Sequence, residues 1–240
     1  MNLTKRLWRE GFLVLLMFSC IFVATSAGFD TSEGLFHYQI AHQAVTQHTL
    51  SFAEQRSGTF TVAPNGRTYA AHEIGNVLLL IPVAAVNVAL ERRLEGSVGA
   101  KKTEYIAGFI VALVPAIYCA LAVALFYCTL RAAFTLEVGA SFSGALAYAF
   151  AGYVWSYSRN LFDGLLCMST LAAGILAMTQ FKRTRSMAPF VLAVVFSGFG
   201  VVTRLSMIIP MLGMFIYVLG LEWRNRRRLV RLAVVAIVIL

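Results

Sequence analysis

Long uncharged stretches organise the chain. They occupy 11–29, 74–90, 105–130, 138–158, 164–181, 186–203 and 205–221, and an eighth begins at Leu232 and runs to Leu240. A helix crosses hydrocarbon with about 20 apolar residues, so the pattern predicts an all-α polytopic membrane protein with about seven transmembrane helices. Lys5, Arg6 and Arg9 precede the first stretch, which could also be read as a signal peptide cut after "ATSA". Its length, and the apolar segments that follow, favour an uncleaved first helix with a cytoplasmic N-terminus. The eighth stretch stops in mid-pattern, so the chain is expected to be the N-terminal portion of a longer protein or a truncated product, with 1–240 as one transmembrane module.

The stretch 74–90 is short and carries Asn76, Pro82 and Asn87. If it spans, nine Lys and Arg residues fall inside and eleven outside, against the enrichment of these residues in cytoplasmic loops. If it lies in the interface or enters part way, twelve fall inside and eight outside. The second arrangement is preferred, although it leaves Arg92, Arg93, Lys101 and Lys102 as an outward basic patch. It makes about 29–104 one large outer loop. Asp30, Glu33, Arg67, His72, Arg159, Asp163 and Arg204 then share one membrane face.

Within that loop the chain from Thr31 to Gln47 is expected to be helical. At 100° per residue Gln39, Gln43, Thr46 and Gln47 share one side and Leu35, Tyr38 and Val45 the other, the pattern of a helix lying on a membrane. The segment "GTFTVAPNGRTYAAH" places β-branched and aromatic residues on both sides of Asn65-Gly66, which predicts a small β-hairpin.

Composition fits this picture. Of 240 residues 59% are hydrophobic and 13% charged, and the mean hydropathy is +0.76. The net charge of +9 comes from short basic clusters between apolar runs, so it reflects membrane topology and not nucleic-acid binding. Cys20, Cys119, Cys128 and Cys167 lie inside apolar runs without C-x-x-C spacing. They read as buried small side chains, not as zinc ligands or disulfides.

Asp30 stands at the outer end of the first stretch. Partial desolvation there raises a carboxylate's proton affinity, which suits a general base. "DTSEG" is also an N-cap pattern, and a cap can fix a catalytic side chain, so both readings hold together. Glu33 and His37 are four apart and meet on one helix face. His42 and His48 follow at spacings unlike those of a helical metal pair, so no histidine metal site is expected. A divalent cation held by acidic groups and substrate phosphate remains compatible. Asp163 can cap the following helix or hold an acceptor or cation. Arg204, between two apolar runs, can snorkel to head groups or anchor a lipid phosphate.

Together these residues resemble the N-terminal module of GT-C type glycosyltransferases. The resemblance is to the glycosyltransferase family 39-like membrane proteins, which include protein O-mannosyltransferases and the aminoarabinose transferase of lipid A. The resemblance runs through Asp30 and Glu33, "HYQIAHQAVTQHTL", "NGRTYAAHEIGNVLLLIP", "TLRAAFTLEVGAS", "WSYSRNLFDGLL" and "GFGVVTRLSMIIP", and rests on their order and spacing. Thr31 and Ser32 separate acids that are often adjacent in the family, and Glu73-Ile74 replace its Pro-Pro or Pro-Gly.

The resemblance implies transfer of a sugar from a polyprenyl-phosphate donor to a hydroxyl on a lipid, glycan or protein acceptor, at the outer face of a plasma (inner) membrane. Asp30, Glu33 and Asp163 would be catalytic. His37, Tyr38, Arg67, His72, Arg159 and Arg204 would bind substrate. The rival expectations are a non-enzymatic transporter or assembly subunit, or an inactive transferase fragment. Transporters place ionisable groups at mid-bilayer, and the uncharged runs here have none, which favours the transferase.

Overall fold

The computed structural model describes residues 3–25, 32–52, 60–62, 64, 66–70, 74–94, 99–159, 163–223 and 225–239. They form helices α1 (Leu3–Thr25), α2 (Ser32–Gln47), α3 (Ile74–Leu94), α4 (Ala100–Ala133), α5 (Val138–Phe150), α6 (Val154–Tyr157), α7 (Asp163–Thr184), α8 (Met187–Thr203), α9 (Ile208–Glu222) and α10 (Arg226–Ile239). A 3-10 turn at Leu205–Met207 links α8 to α9. Among the described residues four helical segments, against the seven or so expected, are long and apolar enough to cross a membrane: Lys5–Thr25, Ile74–Leu94, Tyr105–Ala133 and Leu205–Glu222. The chain is a helical, membrane-embedded protein.

The 34-residue α4 is the axis of the molecule. Its C-terminal half packs against α1, where Val14, Phe18 and Phe22 meet Ala116, Cys119, Ala120, Val123 and Tyr127. Small residues on α4 let the backbones approach, as is usual between membrane helices, where lipid removes the hydrophobic drive. The pair α7 and α8 closes through Phe181 and Phe190, whose rings lie 5.5 Å apart, with Ala177, Ala193 and Val194 around them.

Polar contacts define the two ends of this bundle. At one, Glu10 of α1 accepts hydrogen bonds from Tyr127 at 3.0 Å and from Arg131 at 3.2 Å. Arg183 at the end of α7 donates to the carbonyl of Ala132, and Arg228 to that of Arg185. Buried Glu222 pairs with Arg185, and with Arg228 at 3.7 Å. This is the charged end. At the far end Trp155 donates to Thr25 Oγ1 at 3.3 Å, and Gly75, first turn of α3, packs against Thr203, last residue of α8.

From the far end a second layer extends away from the bundle. Along α3, Val77 and Leu80 cluster with Val114, and Asn87 donates to the carbonyl of Ala107 at 3.2 Å. The two helices are therefore antiparallel, and α3 pairs with the N-terminal half of α4. Helix α2 runs parallel to α3: Asn87 bonds Tyr38 at 2.8 Å, and four residues further on each, His42 meets Glu91 at 3.7 Å. Parallel neighbours need a connection that travels back the length of the helix. The segment between them contains a three-stranded sheet in the order β1-β3-β2, from β1 (Ser51–Phe52), β2 (Phe60–Val62) and β3 (Thr68–Ala70). Both pairings are antiparallel. Gly66 before β3 has φ of 73°, a left-handed conformation that glycine adopts without a steric penalty. Asn65 lies outside the described residues.

Several expectations are corrected. The buried face of α2 is Phe36, Ile40 and Ala41, packed on Val77, Leu80 and Ala84 of α3, with Tyr38 and Val45 of the expected face beside them, while Leu35 is 47% exposed. A helix pattern with histidines and glutamines on every side has no sharp apolar face, and a protein partner selects the one it fits. The run 138–158 is broken by bends at 151–153 into α5 and α6. Thirteen residues of α5 rise only about 20 Å, and the bend lets α6 lie across the far end. Of the cysteines, Cys119, Cys128 and Cys167 are buried, but Cys20 is exposed on the outside of α1.

Candidate functional site

The far end of the bundle gathers the polar residues that precede or follow apolar runs. Helix α1 ends there at Thr25, α6 crosses it, α7 begins there at Asp163, α8 ends at Thr203, and α3 starts against it. The turn of α6 is held from within: Ser158 is buried and donates from Oγ to the carbonyl of Trp155 at 2.7 Å. That fixes Trp155, which reaches Thr25 on one side. Its ring lies under the guanidinium of Arg159 at 4.8 Å, a cation–π pair. Tyr153 and Tyr157 stack at 5.9 Å, and Gly164 in the first turn of α7 lets the Tyr157 ring come close.

Arg159 Nε is buried without a hydrogen-bond partner among the described residues, and so is the amide nitrogen of Asn76. Two unmet buried donors at one end of a membrane bundle are costly unless something accepts from them. Arg204 follows Thr203, which meets Gly75, and is exposed in extended backbone, φ −149° and ψ 121°, between α8 and the 3-10 turn. The end can thus present guanidinium and amide donors to an anion.

The sequence-derived candidates fall into three groups. Arg159 and Arg204 are at this end, with the backbone of Asp163 and the last turn of α1. Asp30 and His72 lie outside the described residues, as do the side chains of Glu33 and Asp163. The third group sits in the outer layer. His37 is buried with its ring edge-on to Phe36 at 6.4 Å. Tyr38 accepts from Asn87, and burial, reinforced by Glu91, pushes its phenol above the ordinary range despite that hydrogen bond. Arg67 follows Gly66 at the sheet, with Nη1 3.5 Å from Ser51 Oγ. Tyr38 is therefore engaged in fastening α2 to α3. Among the described residues no three His, Cys, Asp or Glu side chains cluster as metal ligands.

Sequence reading missed Trp155, Thr25 and Asn76. The W-S-Y-S-R order marks Trp155 as an interfacial aromatic, but its partner Thr25 is 130 positions away. The chain matches no known family profile, no characterised protein and no solved structure.

Proposed function

We propose that the far end is the active site of a membrane glycosyltransferase that uses a polyprenyl-phosphate sugar. The observation that carries the reading is the convergence of Arg159, Arg204 and the start of α7 on the end where α1 leads into Asp30. An acceptor hydroxyl gives its proton to the Asp30 carboxylate, and its oxygen bonds to the anomeric carbon. The bond from that carbon to the phosphate oxygen breaks, and the lipid phosphate leaves with the electron pair. Guanidinium groups fixed at the leaving oxygen stabilise the charge that develops there. Arg204 and Arg159 fill that role, and Glu33 and Asp163 orient the acceptor or a divalent cation. The charged end faces the cytosol, in keeping with the positive-inside rule, and transfer occurs outside, in a plasma or inner membrane. In this reading the uncharged runs from 11 to 221 other than 74–90 cross the membrane, and α3 stays on the outer side with the sheet.

Asp30→Asn tests the base. Asparagine caps a helix about as well as aspartate but cannot take the proton. In membranes carrying the chain, transfer from polyprenyl-phosphate sugars is expected to fall ~100-fold or more, with donor binding retained. Native-rate turnover by the asparagine variant would reduce Asp30 to a cap and shift the role to Glu33 or Asp163. A chain that transfers no sugar from such donors would remove the enzymatic reading altogether.

A further inference from the structure

At the charged end, where α1 begins and α4 and α7 stop, lies a cleft of about 270 Å³. Arg6, Arg131 and Arg183 border it from three different helices. Each guanidinium is held by a partner. Arg6 Nε is 2.8 Å from one oxygen of Glu10, Arg131 Nε is 3.2 Å from the other, and Arg183 is tied to the carbonyl of Ala132. Arg131 also donates to the carbonyl of Leu136. A guanidinium has five N–H donors, so each keeps donors beyond these contacts. One carboxylate cannot neutralise three guanidinium groups, and the cleft carries an excess of positive charge. Gln180 and Thr184 add polar atoms to the wall, while Leu7 contributes an apolar one.

We propose that this cleft binds the phosphate of an anionic phospholipid headgroup. The shared chemistry is that of any phosphate oxyanion, but the position selects the lipid. The cleft opens where the apolar belt of the bundle gives way to its basic rim, the depth at which lipid phosphates lie. Basic pockets between membrane helices on the cytoplasmic side are a recognised headgroup environment. A purely topological charge cluster needs no converging geometry. Here three planar guanidinium groups border one cleft from three helices, which lowers the ordering cost of binding the oxygens of a phosphate. A bound headgroup would brace α1 against α4 and α7 at the end opposite the proposed transfer site.

The test uses the purified full chain in detergent, with native mass spectrometry of lipid retention. Phosphatidylglycerol and phosphatidylcholine with identical acyl chains are compared, and a third arm adds inorganic phosphate alone and as a competitor. Phosphatidylglycerol is expected to be retained about tenfold over phosphatidylcholine, because the choline cation of the latter is repelled by the same guanidinium groups that hold its phosphate. Arg6→Gln with Arg183→Gln should abolish that preference, and each single variant should reduce it. Arg227→Gln removes a charge from a separate cleft at the same end and should leave it intact. Arg131 is kept, because it joins α1 to α4 through Glu10. Equal preference in the double variant, or equal loss in Arg227→Gln, would overturn the site in favour of bulk charge. Full displacement by millimolar inorganic phosphate would overturn the lipid assignment and leave a free-phosphate site.

Discussion

Gly75 is where the outer layer meets the bundle, and the contact determines the sign of its simplest substitution. Gly75→Ala adds one carbon inside helix α3. Helix propensity alone favours the change by about 1 kcal/mol. The new carbon would stand 2.9 Å from Thr203 Cα and 2.9 Å from its Cβ, closer than side-chain carbons tolerate. Backbone cannot swing aside as a long side chain can, so α3 and α8 must separate. Overpacking of this kind costs about 1–3 kcal/mol, which exceeds the propensity gain over most of its range. Gly108→Ala in α4 is the control, because a carbon added there meets nothing within 4 Å and only the propensity term acts. In detergent, followed by intrinsic fluorescence on heating, Gly75→Ala should melt roughly 2–4 °C lower per net kcal/mol lost, and Gly108→Ala should melt higher. If both substitutions raise the midpoint, the close contact between α3 and α8 does not exist and the layer is attached some other way.

Two further outcomes test the reading of the far end. A cysteine placed at position 98, in a background without the native cysteines, should be labelled by an impermeant maleimide from outside intact cells; labelling only from the cytosol would mean that 74–94 crosses the membrane. Arg204→Ala should weaken binding of a polyprenyl-phosphate donor by about tenfold or more while leaving yield and melting midpoint nearly unchanged, and an equal loss of binding and expression would make Arg204 structural.

The helices were legible because lipid demands uncharged segments of a set length, and a single charge is enough to mark a boundary. Arg204 alone separates α8 from the turn that opens α9, and it does so as the charge pattern predicts. The bend between α5 and α6 was not legible, because "FAGYVW" carries no charge and differs little from the helix before it. The partner of α2 was hidden for another reason. Its seat on α3 depends on Asn87 meeting Tyr38 across 49 positions, and no local period records such a pairing. The candidate site was visible only as isolated charges at run ends. Its support, Trp155 between Thr25 and Arg159, is made of residues that elsewhere would read as ordinary interfacial side chains.

The length of α4 carries the argument about where the bilayer lies. Thirty-four residues rise about 51 Å, against about 30 Å of hydrocarbon, so one slab cannot cover the whole helix if it stands upright. Exposed apolar side chains on α1, Phe12 and Leu13 at 57% each and Leu16 at 46%, need lipid, and α1 pairs with the C-terminal half of α4. Glu10 beside Arg131 marks the lower limit of that slab. Counting about 20 residues up α4 from there ends near Ala107 to Val111, a level that α3 reaches well along its length, having started beside Thr203. The slab that covers α1 therefore ends partway along α3, and the rest of the α3–α4 pair must lie outside or tilt onto the surface. Pro115 stands where the two halves of α4 join, and it withholds the N–H that would bond the carbonyl of Val111, the commonest place for a helix to bend. Phe109 at 61% and Tyr105 at 67% exposed give the tilted half an apolar flank for the membrane surface. On our reading, a bend at Pro115 lays the outer layer beside the far end of the bundle, where a lipid-linked donor would have to arrive.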